Sequence, residues 1–268
     1  MIGRERWRVS VVVPVRDEEE TLGAVLDGVA SHADELLVID GRSRDRTVEV
    51  ARRHGARVVE DDGRGKGAAV RLALRLAAHP IVVFVDGDGS HEPGDIPALV
   101  APIREGRADL VIGSRMTGGS DELSSDAGEL VRLTGSMVIN LTINYRWNVR
   151  LSDTQNGFRA VARDPVHALG LTEDSTTVEQ EMVMKALAHG LRVENVPSHE
   201  YRRRGGVSKI DVRRVWPRYL WNVARHVLRR DRPAPRPAAP VALHPAPAPE
   251  PVPVAEAAGE ARRARPGE

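Results

Sequence analysis

Short apolar runs and longer amphipathic stretches alternate along the first half of the chain. Val9 to Val15 (VSVVVPV), Glu35 to Asp40 (ELLVID), Ala56 to Glu60 (ARVVE), the run ending Val82-Val83-Phe84-Val85, and Ala108 to Ser114 (ADLVIGS) are β-branched and of strand length, so they read as buried strands. Between them, Arg16 to Thr21 reads as an acidic helix start that complements the helix dipole. Gly41 to Thr47 turns into a helix running to about His54, Gly63 to Gly67 opens a helix through Ala78, and another spans about Gly94 to Arg104. This βαβ alternation predicts an α/β fold, a mostly parallel sheet with helices on its faces. Arg115 to Gly128 is polar and Gly-rich and reads as an active-site loop. Beyond it the pattern gives a helix from Glu129 to Arg150, a strand from Gly157 to Val161, a helix from Val178 to His189 and a strand from Leu191 to Val196.

The strand ending at Val85 runs into Asp86-Gly87-Asp88-Gly89-Ser90. Carboxylates at the carboxyl end of a parallel strand sit where such sheets bind ligands, and hard oxygen donors suit Mg²⁺ or Mn²⁺, which in turn neutralise a diphosphate. Asp86 and Asp88 are therefore candidate metal ligands; the other reading is a strand followed by an Asp-Gly turn.

Length and charge narrow the classes. The 268 residues suffice for one substantial α/β domain plus an appendage. The absence of cysteine excludes disulfides, thiolate metal sites and thiol catalysis. A formal charge of +1 gives no whole-molecule field for nucleic acid, although the basic excess gathers late. Residues 1–8 lack an apolar signal region, and no run reaches the roughly 20 apolar residues of a membrane span. The expectation is a cytoplasmic protein, soluble or peripheral on a membrane.

Several segments occur in a recognisable order: VSVVVPVRDEEE (9–20), VIDGRSRDRT (38–47), Gly65-Lys66-Gly67, FVDGDGS (84–90), IGSR (112–115), DTQNGFRA (153–160) and GGVSK (205–209). Together they resemble the family 2 glycosyltransferases of GT-A fold, with the dolichyl- and polyprenyl-phosphate mannosyl- and glucosyltransferases as the most similar subgroup. The resemblance covers most of the chain to about residue 210. It implies a GT-A domain over 1–211; residue spacing then gives a basic amphipathic helix at 212–231, and the Pro/Ala-rich composition of 232–268 predicts a disordered tail.

The resemblance also implies roles. Pro14, Arg16, Glu18 and Asp40 would hold the nucleotide base and ribose, with Lys66 nearby. Asp86 and Asp88 would serve metal and ribose, Asp88 being the stronger metal candidate. Arg115 would lie near the diphosphate, where a guanidinium makes bidentate contacts. Arg132 would join that cluster or the acceptor phosphate, and Arg204 and Lys209 would gather phosphates. Asp153, with Gln155 beside it, is the candidate base or acceptor-positioning residue, its other reading being a turn residue. Lys66 reads equally as a solvated turn residue, and Glu179 and Glu181 as surface acids at a helix start or as a supporting pair. Two departures stand out: Gly41-Arg42 where many members carry an acidic residue and Gly, and Ser90 where some mannosyltransferases place Gln.

The implied reaction is inverting transfer of a hexose from a nucleotide-diphosphate sugar, of GDP-mannose or UDP-glucose type, to a polyprenyl phosphate, with Mg²⁺ or Mn²⁺ as cofactor. A soluble or glycan acceptor is the alternative. A sugar nucleotidyltransferase is disfavoured because Pro14-Val15-Arg16-Asp17-Glu18 replaces the Gly-rich loop that class carries after its first strand, and a non-catalytic scaffold is disfavoured by the intact Asp86, Asp88 and Arg115. At the late basic helix, Val212, Val215, Trp216, Tyr219, Leu220, Val223 and Val227 recur at helical spacing among arginines. That helix either lies on a membrane surface or packs on the catalytic domain or a second subunit.

Overall fold

The computed structural model describes residues 7–121, 127–203 and 212–228. The expected strands form: β1 (Val9–Val15), β2 (Glu35–Asp40), β3 (Arg57–Glu60), β4 (Ile81–Phe84), β5 (Leu110–Ser114), β6 (Arg159–Ala162) and β7 (Val193–Pro197). Among the described residues they make a seven-stranded sheet in the order β3-β2-β1-β4-β6-β5-β7. All neighbours are parallel except β6, which runs antiparallel to both β4 and β5.

The helices are α1 (Leu22–Val29), α2 (Thr47–Arg53), α3 (Lys66–Leu76), α4 (Ile96–Arg104), α5 (Arg115–Gly118), α6 (Ala127–Trp147), α7 (Arg163–His167), α8 (Val178–Ala188) and α9 (Val212–Leu228). Side chains alternate across the sheet as its period of two requires. Val12, Leu37, Ile39, Val82, Phe84 and Ile112 pack beneath α3, α6 and α8 through Ala73, Ile139 and Met182. Val11, Val13, Val38, Val83 and Val111 face the other way, onto Leu26 of α1, Ala51 of α2 and Leu99 of α4. Both faces are covered around β1, β2, β4 and β5, which is why those strands read as continuous apolar runs.

The topology places the site. From β1 the chain winds outward through β2 and β3, then returns to add β4 on the opposite side of β1. The carboxyl ends of β1 and β4 therefore flank the crevice where the winding reverses, the usual ligand position in such sheets.

Three local expectations are corrected. The acidic run 18–20 is not a helix start: α1 begins at Leu22 with no acid in its first turn, because the run is drawn into contacts with a neighbouring loop. The Gly-rich segment after β5 opens with α5, and Ser120 then bridges to Glu200; residues 122–126 lie outside the described residues. The short helix α7 was not anticipated. Residues 229–231 and the tail 232–268 also lie outside the described residues.

Glu35, at the start of β2, accepts hydrogen bonds from the Ser10 hydroxyl, the Ala78 amide (2.8 Å) and Arg57 (2.6 Å). Burial alone would raise its carboxyl, but these bonds outweigh burial and hold it below the ordinary value. With the folded pKa below the unfolded one, its stabilisation is complete above about pH 4.3 and is lost as the pH falls through the folded value. Glu35→Gln is expected to cost about 1 kcal/mol at pH 7, with wild-type and variant urea curves converging below pH 4; a gap that stays constant with pH contradicts this.

Candidate active site

The nucleotide side of the crevice is two interlocked loops. After β1, the Asp17 amide donates to Ser43 Oγ (2.9 Å), the Glu18 amide to Thr47 Oγ1 (2.8 Å) and the Glu19 amide to Asp45 (3.1 Å). In return the Arg44 and Arg46 amides donate to Asp17 (2.7 Å) and Glu19 (2.9 Å). Pro14 lies within β1 opposite Ile39, and Arg16 projects to solvent near Asp17. Asp40 ends β2 buried, its carboxylate accepting from the Ser43 amide (3.1 Å) and hydroxyl. Arg42, in the departing Gly-Arg position, has φ +63 and lies 3.4 Å from Glu60; a non-glycine residue in this left-handed region stores local strain.

Beside these loops, at the end of β4, lies a charged cluster. Lys66 Nζ is 2.5 Å from Asp86 and 3.0 Å from Glu179. Burial disfavours the ammonium, but the two carboxylates outweigh that and raise its pKa. Burial would likewise raise the Asp86 carboxyl, yet Lys66, His91 and Arg203 hold it far below the usual carboxylate range. Lys66 is thus an ion-paired residue of the cluster, not a solvated turn residue. Its flanking glycine has a packing reason: a Cβ on Gly67 would come within 2.0 Å of the Glu173 carbonyl oxygen. Gly67→Ala is expected to lower stability by about 1–3 kcal/mol, read by urea denaturation; an unchanged midpoint contradicts the close approach.

Asp88 is buried; one carboxylate oxygen accepts from the Ser90 amide (3.1 Å) and hydroxyl (2.7 Å), and the other lies 3.2 Å from Arg203. His91 stacks on Phe158 (4.8 Å between centroids) and its Nδ1 accepts from the Asp86 amide. Burial lowers its pKa. Among the described residues no three His, Cys, Asp or Glu side chains converge on one metal position. Two carboxylates fit Mg²⁺ or Mn²⁺ nonetheless, since these ions take one or two protein carboxylates and complete their shell with substrate phosphates and water.

Arg115 leaves β5 at the same edge. Its guanidinium grips Asp153 through Nε (2.7 Å) and Nη2 (3.2 Å) and reaches Glu200 (3.5 Å). Asp153 is buried and also accepts from the Gln155 (2.9 Å) and Asn156 (3.2 Å) amides. Burial would raise its carboxyl; Arg115 and these amides lower it instead. A carboxylate so committed suits positioning better than proton abstraction. Gln155 contacts Ser136 of α6. Arg132 falls on α6, but its side chain, like all of Arg204 and Lys209, lies outside the described residues. The preceding segment does approach the site: the Tyr201 amide donates to the Ser90 carbonyl (2.8 Å) and Arg203 meets Asp88.

Glu179 and Glu181 are corrected from surface acids to buried ones. Glu181 receives the Thr172 and Glu173 amides and pairs with Lys185 (2.8 Å). Glu179 gives one oxygen to Lys66 while its Oε2 is buried without a hydrogen-bond partner. His91, Glu200 and the Arg203–Asp88 pair were not anticipated. The first followed the acidic motif in sequence, but nothing in the pattern marked Glu200.

A mostly parallel sheet with paired carboxylates and surrounding cations at its switch point defines a nucleotide-diphospho-sugar transferase architecture. The family model "Glycosyl transferase family 2" matches residues 10–170, and the chain belongs to that family. The chain is 35% identical over 202 residues to the uncharacterized glycosyltransferase Rv0539 of Mycobacterium tuberculosis, covering 75% of this chain and 89% of that one. It is 31% identical over 206 residues to the dolichyl-phosphate hexose transferase of Haloferax volcanii, covering 76% and 86%. Its fold matches glucosyl-3-phosphoglycerate synthase of Mycobacterium tuberculosis, crystallised with Mn²⁺, uridine diphosphate and glucosyl-3-phosphoglycerate, at TM-score 0.64 and 23% identity over 85% and 84% of the two chains. The fold is therefore GT-A, and the protein is a glycosyltransferase.

Proposed function

We propose that the protein transfers a hexose, with inversion, from a nucleotide-diphosphate sugar to a polyprenyl phosphate. The observation that carries the donor half is the pairing of Asp86 with Lys66 and of Asp88 with Arg203 at the switch point, with the Arg115–Asp153 pair at the same sheet edge. Carboxylates and cations held in fixed pairs at one sheet edge suit a metal-bridged diphosphate, and preorganised charge of this kind stabilises a leaving group without covalent catalysis. Asp88, with Asp86, would hold Mg²⁺ or Mn²⁺, which would neutralise the departing diphosphate. The loops of Arg16, Glu18 and Asp40 would cradle the nucleoside.

The acceptor half rests on Asp153 and on the relatives. Asp153 is held ionised and fully hydrogen-bonded by Arg115, a poor base, and a phosphate acceptor is already anionic and requires none. The dolichyl-phosphate hexose transferase resemblance points the same way. Arg115, Arg132, Arg204 and Lys209 would gather the acceptor phosphate and diphosphate, with Gln155 positioning the acceptor. No helix of the described residues is long and apolar enough to cross a membrane.

The test is incubation with labelled GDP- and UDP-hexoses, Mg²⁺ or Mn²⁺ and a short-chain polyprenyl phosphate, followed by solvent extraction. Metal-dependent label in the organic phase is expected. Nucleotide release without lipid label would reject the acceptor.

A further inference from the structure

Helices α6 and α9 touch, Arg146 Nε donating to the Val227 carbonyl (3.2 Å). Each turns large apolar side chains outward. On α6, Met137, Leu141 and Tyr145 recur every four residues along one stripe and are 58%, 70% and 90% exposed. On α9, Trp221 and Leu228 lie seven residues apart and are 68% and 81% exposed. The inward side of α9 is mixed: Val223 is buried and Tyr219 and Val227 pack on the core, while Asn222 and His226 are also buried and the Asn222 amide has no hydrogen-bond partner. Tryptophan and leucine left exposed on the outer side of such a helix form an apolar face suited to an apolar medium beyond it.

The surrounding charge selects the medium. Arg146, Arg150 and Arg218 are exposed on or directly after these helices. The sequence holds no acidic residue from 130 to 150 or from 212 to 230. Aromatic and apolar side chains rimmed by arginine match the interface of an anionic bilayer. A second copy of the chain would fit poorly, because it would bring a second set of arginines to the contact with no acidic residue from 130 to 150 or 212 to 230 of either copy to pair them.

The inner faces of the same helices support the active site. Asn140 of α6 holds the Ser152 carbonyl (2.8 Å) and the Thr154 hydroxyl (2.6 Å), next to Asp153. Tyr219 of α9 donates to Thr176 (2.8 Å), near the start of α8, and its phenol is pushed up to about 12 by burial and by Glu179. We infer that the outer faces of α6 and α9 are a docking surface for an anionic lipid bilayer, placing the acceptor-side loop at the membrane where a lipid phosphate emerges. This deepens, and rests on, the polyprenyl-phosphate reading.

The test uses the full chain with vesicles that contain no polyprenyl phosphate, so docking is read apart from transfer. Sedimentation with phosphatidylglycerol–phosphatidylethanolamine vesicles should be strong and weaken with salt, and phosphatidylcholine vesicles should bind far less. The double variant Leu141→Ser with Trp221→Ser should bind at least about tenfold more weakly. It should keep its melting temperature and its transfer to a short-chain polyprenyl phosphate in detergent, since neither residue touches the site. Wild type that pellets with neither vesicle, or a double variant that pellets as well as wild type, overturns the surface. So does a wild-type dimer that the double variant dissociates, in the absence of vesicle binding. Docking with no transfer to any polyprenyl phosphate would reject the acceptor reading and leave the surface standing.

Discussion

Asp88→Asn is expected to cut sugar transfer by about 10³-fold, with little change in melting temperature. Asparagine keeps the shape of Asp88 and can still accept from the Ser90 amide and hydroxyl, so the turn after β4 survives. What disappears is a buried negative charge at the switch point, the charge that would hold a divalent cation against the donor diphosphate. The loss should fall on kcat and on Mn²⁺-dependent nucleotide affinity together. Steady-state kinetics and calorimetric titration of nucleoside diphosphate with and without Mn²⁺ check this; a loss of less than about tenfold would assign Asp88 to the turn alone.

Arg115→Met is expected to destabilise the protein by about 3–5 kcal/mol, because it strands the Asp153 carboxylate in a buried site. Much of that should return in the double variant with Asp153→Asn, which removes the stranded charge while leaving an oxygen for the Gln155 and Asn156 amides. Activity should not return, since the guanidinium proposed to face the diphosphate is gone. Urea denaturation of both singles and the double closes the cycle. A double variant no more stable than Arg115→Met would show that the pair is not coupled. The same pair carries a pH signature: with the Asp153 pKa depressed in the folded protein, its stabilisation is complete above about pH 3.9 and is lost as the pH falls through the folded value.

Strands β1, β2, β4 and β5 were legible because both faces of the sheet are buried around them, so each reads as an apolar run. Strand order and the reversed β6 were not legible, since they depend on where the chain re-enters the sheet rather than on any residue pattern. Acids before or within the first turn of a helix misled twice. Glu19 is satisfied by Arg46 across a loop, and Glu179 and Glu181 by Lys66, Lys185 and the Thr172 and Glu173 amides, and dipole reasoning sees only the helix itself. Asp86, Asp88, Lys66, Arg115 and Asp153 were picked out individually from motifs. Their pairing was not, because Lys66 meets Asp86 and Arg115 meets Asp153 only once the sheet brings separate loops to one edge. The outward apolar stripe of α6 was also invisible: its spacing is that of a core-facing helix, and only the fold shows which side faces out.

The central claim is the acceptor, and the most direct measurement offers the enzyme a short-chain polyprenyl phosphate and 3-phosphoglycerate together, with one labelled donor and Mn²⁺. The account predicts label in the lipid product, with both metal and Asp88 required. Label in the water-soluble product alone would contradict it and place the chain functionally with its fold neighbour.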